Sequence, residues 1–171
     1  ELRDALRRRQ ILDKLVVCSN VGYKEAADTI DSCTYIIGGT GRVKNVIDKN
    51  GTHILSPRLT DGGLSITDFG SKILYDCRTL PVDGGGQYQP TSGLGQGPAV
   101  LMVEQDAVEF ILRGRNVFYG FIVACDPWLK AGQTCFIVDE QGALIGHGLA
   151  QCDADEAVRF RKGIAAVSYT H

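Results

Sequence analysis

Between residues 114 and 150 the chain reads GRNVFYGFIVACDPWLKAGQTCFIVDEQGALIGHGLA. Three apolar runs, NVFYGFIVAC, TCFIV and ALIGHGLA, are separated by the turn-forming clusters DPWLKAG and DEQG. Runs of this length cannot be long helices, and turns this close bring each run back beside the last. The spacing predicts a small barrel or sandwich of short strands. Flanking segments extend it. AVLMV reads as a strand and DAVEFILRG as a helix with Asp106 as its N-cap and Gly114 ending it. DADEAVRFRKG reads as a second helix, capped by Asp and stopped by Gly163, and IAAVSY as the closing strand.

Upstream the texture differs. LRDALRRRQILDKLVV places Leu2, Leu6, Ile11, Leu12 and Leu15 near helical spacing, and YKEAADTIDSC is a shorter helical candidate. From Thr34, TYII, RVKNVID, THILSP and LSIT read as strands joined by GGTG, DKNG and TDGG turns. TDFGSKIL reads as a short helix capped by Thr67 or Asp68. Residues 75–98 are rich in glycine and proline and read as a linker. The expected organisation is therefore α+β: a helical N-terminus with a small α+β domain over residues 1–74, a linker over 75–98, and a β pseudo-barrel with two short helices over 99–171.

Charge is nearly balanced, with 18 Lys and Arg against 20 Asp and Glu, so any nucleic-acid contact must come from a local patch. The six cysteines, Cys18, Cys33, Cys77, Cys125, Cys135 and Cys152, form no C-x-x-C pair. Cys125 and Cys135 lie inside strand-like runs, where a reduced thiol acts as a small hydrophobe, so a reduced intracellular protein is expected. The chain begins with Glu1 rather than Met, as a fragment or trimmed chain would. No signal peptide and no membrane-length apolar run is present, and a cytoplasmic location is expected, or a nuclear or nucleolar one.

The segment from VEQDAVEFILRGRNVF through CDPWLKAGQTCFIVDEQGALIGHG to RFRKGIAAV resembles a PUA domain, the RNA-binding pseudo-barrel attached to pseudouridine synthases and archaeosine transglycosylases. FIVACDP is most similar to the C-terminal PUA domain of the archaeosine tRNA-guanine transglycosylase family. GTGR and RLTDGGLSIT resemble the small domain that precedes PUA there. The catalytic barrel of that family, with its aspartate and zinc site, has no counterpart in the chain. The resemblance implies a non-catalytic RNA-binding protein recognising structured RNA, tRNA or rRNA, within an RNA-modification or ribosomal complex. It also implies that the glycine after the first helix lets RNA backbone approach, and that this helix and its loop lie beside the final strand.

Site residues follow from the charges. Five of the six Lys and Arg of residues 99–171 fall in RGR and RFRK, although the unit carries nine Asp and Glu. Such a patch can displace counterions from phosphates. Arg113, Gly114, Arg115, Asn116, Arg161 and Lys162 are the expected RNA contacts. Arg113 and Lys162 also suit a helix C-terminus, where cations complement the dipole. Phe118, Tyr119 and Phe121 are expected to alternate along a strand, with one face available for base stacking. LRRRQ is a weaker basic patch. No phosphate-loop or dinucleotide fingerprint is present, and Cys125, Cys135 and His147 have no spacing that demands a metal, so no cofactor, metal or enzyme activity is expected. The competing reading is a protein-interaction adaptor working through the N-terminal domain.

Overall fold

The runs AVLMV and TCFIV are apolar at nearly every position, which suits strands covered on both faces. The computed structural model, which describes residues 2–58, 60–76 and 98–168, shows that cover. Strand β5 (Ala99–Val103) pairs parallel with β8 (Thr134–Val138), matching Ala99 to Cys135 and Met102 to Val138. Val100, Met102, Phe136 and Val138 face one core, and Leu101, Val103, Cys135 and Ile137 the other.

The first core is built by the N-terminal half. Helices α1 (Leu2–Ser19) and α2 (Tyr23–Asp31) precede an antiparallel meander of β1 (Thr34–Ile37), β2 (Val43–Ile47), β3 (His53–Pro57) and β4 (Leu64–Ile66). Helix α3 (Asp68–Asp76) follows, its Gly70 N–H bonded to the Thr67 hydroxyl at 3.0 Å, which makes Thr67 the cap. Ile11, Leu12 and Leu15 of α1 enter the core shared with β5 and β8. Leu2 and Leu6, expected on the same face, are exposed, and Leu6 borders Thr40 and Gly41. Tyr75 and Asp76, read as linker, complete α3. Tyr75 packs edge-on to Phe136 at 5.4 Å and donates to Gly142 O at 2.6 Å, contacts that favour two more helical residues. Residues 77–97 of the expected linker, with Cys77, lie outside the described residues.

The second core fills the C-terminal sheet, ordered β6-β10-β9-β8-β5-β7. Its remaining elements are α4 (Gln105–Leu112), β6 (Val117–Phe118), β7 (Ile122–Cys125), β9 (Leu144–Ala150), α5 (Ala154–Arg159) and β10 (Ile164–Ser168). The fold is the expected α+β arrangement with a half-barrel. Three local expectations are corrected. NVFYGFIVAC is not one strand: a 3-10 turn at Tyr119–Phe121 separates β6 from β7 and moves the chain from one end of the sheet order to the other. Asp106 lies in the first turn of α4, whose N-cap is Glu104. Gly163 does not stop α5, because Phe160 is already extended (φ −80°, ψ 149°), whereas Asp153 does cap it, in a capping box with Glu156.

Asp126, within the DPW turn, is fully buried. Its carboxylate accepts the Val100 N–H at 2.7 Å, and its own N–H donates to Val100 O, so the turn after β7 grips the start of β5.

Candidate nucleic-acid interface

Helix α4 ends in a left-handed residue. Gly114 sits at φ +86°, its N–H donating to Ile111 O at 2.9 Å while the Arg115 N–H donates to Phe110 O at 3.1 Å. This pair of bonds is a Schellman closure, which satisfies the last carbonyls and turns the chain away from the helix axis. A glycine is needed there because a side chain strains that backbone. Arg115 is thereby set beyond the helix end, exposed, and the chain enters β6. Arg113 is the helix C-cap, and its guanidinium donates to the Glu109 carboxylate at 2.6 Å, so it is partly neutralised. Asn116 is half-buried, its side-chain oxygen accepting the Ser168 N–H at 3.2 Å. It ties β6 to the last described residue of β10.

The RFRK cluster lies at the other end of the same strand pair. Phe118 pairs with Ile164, and the Tyr119 N–H donates to Gly163 O at 3.0 Å. Arg161 and Lys162 are exposed immediately before Gly163, whose φ is +105°. Arg161 and Lys162 follow the end of α5 by two and three residues, so they do not serve as its C-terminal cations. From Gly163 to Ser168 the chain advances roughly 16 Å, so RGR and RFRK mark the two ends of one edge. Arg115, Arg161 and Lys162 make no ion pair among the described residues.

The aromatic expectation holds in burial, although a 3-10 turn interrupts the strand. Phe118 is 44 % exposed, Tyr119 is buried and Phe121 is half-buried, packed edge-on to Phe118 at 6.0 Å. Phe160 was missed by sequence reasoning. It is 52 % exposed, held edge-on by Tyr119 at 5.5 Å, and it borders a shallow cavity of ≈ 170 Å³ with Val158 and Arg161. It follows directly on the end of α5, in extended backbone.

The nucleophile candidates are quiescent. Burial raises the thiol of Cys125 to about 11 and that of Cys135 to about 12, so both are protonated at neutral pH. His147 is not beside them. It is buried against the small sheet, its Nε2 donating to Ile66 O at 2.8 Å and its Nδ1 lying 3.6 Å from the Asp68 carboxylate. His53 Nε2 meets the Ser56 hydroxyl at 2.6 Å, but that hydroxyl donates to Asn45 Oδ1 at 2.7 Å. The same Nε2 lies 3.1 Å from Leu55 O, which can only accept, so a proton on Nε2 is shared between that carbonyl and the Ser56 hydroxyl. No group of three or more His, Cys, Asp or Glu suited to a metal ion occurs among the described residues. No described helix is long and apolar enough to cross a membrane.

Residues 99–168 match the family model of the PUA domain. The chain is 29 % identical over 126 residues to the tRNA-guanine(15) transglycosylase of Methanocaldococcus jannaschii, covering 74 % of this chain and 17 % of that enzyme. With the Pyrococcus furiosus transglycosylase it shares 28 % over 129 residues, 75 % of this chain and 19 % of the relative. The chain thus spans less than a fifth of the length of either. A hypothetical protein from Pyrococcus horikoshii OT3 has the same fold, with a TM-score of 0.68, 18 % identity, and 97 % and 90 % of the two chains covered. A conserved PUA domain protein from Thermoplasma acidophilum superposes with a TM-score of 0.50 and 20 % identity over 74 % and 68 % of the chains.

Proposed function

We propose that this PUA-domain protein is a non-catalytic RNA-binding protein that holds structured RNA, tRNA or rRNA, along the β6–β10 edge of its half-barrel. One observation carries the reading. The antiparallel pairing of β6 with β10 places Arg115 at one end of an edge and Arg161 and Lys162 at the other, none of them neutralised by a described carboxylate. A backbone lying along that edge meets cations at both ends, and counterion release makes such contact favourable at low salt. Phe118 and Phe160 add two half-exposed rings on which unstacked bases can lie. Gly114 keeps the approach free of a side chain, and Asn116 and Arg113 hold the loop in shape. The protonated thiols and the misdirected Ser56–His53 pair supply no activated nucleophile, which supports a binding role. The surroundings of such a protein are an RNA-modification or ribosome-assembly complex in the cytoplasm or nucleolus.

The test is an affinity comparison at fixed salt. Labelled unfractionated tRNA and rRNA fragments are titrated with the wild type and with the double variant R115E/R161E. Micromolar or tighter binding that the variant loses supports the reading. If the wild type ignores both RNAs at low salt, the reading fails and the N-terminal domain becomes the place to look for a protein partner.

A further inference from the structure

The LRRRQ stretch and the GTGR turn take no part in the edge just described, yet the fold brings them together. Arg3, Arg7, Gln10 and Lys14 recur along α1 at intervals of four, three and four residues, which puts them on one face of the helix. That face borders the β1–β2 turn, and two adjoining hollows of ≈ 400 and ≈ 450 Å³ lie between them. The walls carry Arg3, Arg7, Lys14, Arg42 and Arg58 against the carboxylate of Asp13. Asp13 turns its charge to Arg9, at 3.8 Å. Arg58 is neutralised by Asp61, which it holds below the usual carboxylate range. Of the other four, Lys14 and Arg7 are held by backbone carbonyls, and Arg7 alone of them has a carboxylate partner among the described residues. Lys14 donates to Gly62 O and Arg7 to Gly41 O, and a carbonyl fixes a cation without cancelling it. Arg7 is also paired with the exposed Asp4 at 3.5 Å. Arg3 and Arg42 have no ion pair among the described residues.

We infer that this groove between α1 and the β1–β2 turn is a second binding site, for the phosphodiester backbone of RNA. The inference rests on the RNA-binding reading above. A row of cations roughly 16 Å long, measured along the helix from Arg3 to Lys14, suits a ligand with repeated negative charge. Of the groove's apolar lining residues, Ile11 and Val43 are buried and Leu6 is exposed. The groove also shares Arg58 with a second cleft. Arg58 lines both the groove and a cleft of ≈ 560 Å³ that reaches His147, Gly148 and Leu149 of β9. Gly148 pairs with Ser168, whose N–H is held by Asn116 next to Arg115.

The test uses the full chain, fluorescein-labelled unfractionated tRNA, and polyglutamate of matched charge as an acidic-peptide probe. Wild type, R3Q/R42Q and R115Q/R161Q are titrated across a salt series, and thermal melts check that each variant folds. Both substituted pairs are exposed, so folding is expected to survive. The groove contacts predict a log–log salt slope shallower by about 1.5 to 2 in R3Q/R42Q, with roughly tenfold or greater loss of affinity at 0.1 M salt. Loss in R115Q/R161Q alone overturns the groove and leaves the proposed function standing. Loss in R3Q/R42Q alone supports the groove and moves RNA binding off the β6–β10 edge. If R3Q/R42Q loses polyglutamate but keeps tRNA, the groove is a peptide site and the inference is overturned. No tRNA binding at any salt overturns both.

Discussion

The chain has two regions that read as basic in sequence, LRRRQ in α1 and the RGR and RFRK pair in the half-barrel, and folding treats them oppositely. In α1 the adjacent arginines are dispersed around the helix. Arg8 is bound to Asp31 at 2.7 Å and Arg9 lies near Asp13, leaving Arg7 to face the groove. The positive surface there is assembled from residues far apart in sequence, Arg3, Lys14 and Arg42. In the half-barrel the two clusters stay local, and a single strand pairing sets them at the ends of one edge. A run of charges in sequence is thus a poor guide on a helix, where neighbours point in different directions, and a better one at turns.

The largest effect that bears on this comparison is structural. Phe136 is fully buried and joins the first core to Tyr75 of α3. Phe136→Ala should cost about 3–5 kcal/mol, and, because β5 and β8 serve both cores, chemical denaturation should remain one cooperative transition at lower midpoint. Two separated transitions would show that the regions fold independently. Next comes R115E/R161E, for which fluorescence anisotropy should report a tenfold to hundredfold loss of tRNA affinity at 0.1 M salt, with an unchanged melting temperature. A smaller effect is expected at Gly114→Ala. The left-handed backbone should cost about 1–2 kcal/mol in thermal stability and loosen the loop that presents Arg115, lowering affinity severalfold. A wild-type melt in that variant would remove the structural role assigned to the Schellman turn. Smallest of all is R8Q/R9Q. Both side chains are already engaged with carboxylates and lie off the groove, so tRNA affinity and its salt slope should change little. A slope as shallow as that of R3Q/R42Q would erase the distinction between the faces of α1.

Much of this was legible in the sequence. The four strands of the small sheet, the five described helices and the C-terminal half-barrel follow from periodicity and turn chemistry, the apolar period of most elements matching the final environment. The continuous apolarity of AVLMV and TCFIV did carry the news that both faces are buried, but not what covers the second face, because Ile11, Leu12 and Tyr75 reach it over long sequence separations. The alternation expected at Phe118 to Phe121 holds in burial, with Phe118 and Gly120 exposed, Tyr119 buried and Phe121 half-buried, although a 3-10 turn rather than a continuous strand carries Tyr119–Phe121. Phe160 and Arg42 had no local signal. One follows directly on the end of α5, in extended backbone, and the other matters through what stands opposite it on α1.

The expected contacts divide along the same line. Arg115, Arg161 and Lys162 are exposed and without ion pairs among the described residues, as turn residues can be. Arg113 and Asn116 are drawn into bonds with Glu109 and Ser168, which exist only once α4 and the β6–β10 pair have formed.

The most direct measurement is cross-linking of the full chain to tRNA carrying 4-thiouridine, followed by mass spectrometric mapping of the adducts. The account predicts adducts within residues 113–121 and 158–164, at the two ends of the β6–β10 edge. Adducts confined to residues outside the half-barrel, or none at a salt concentration where tRNA is bound, would contradict it.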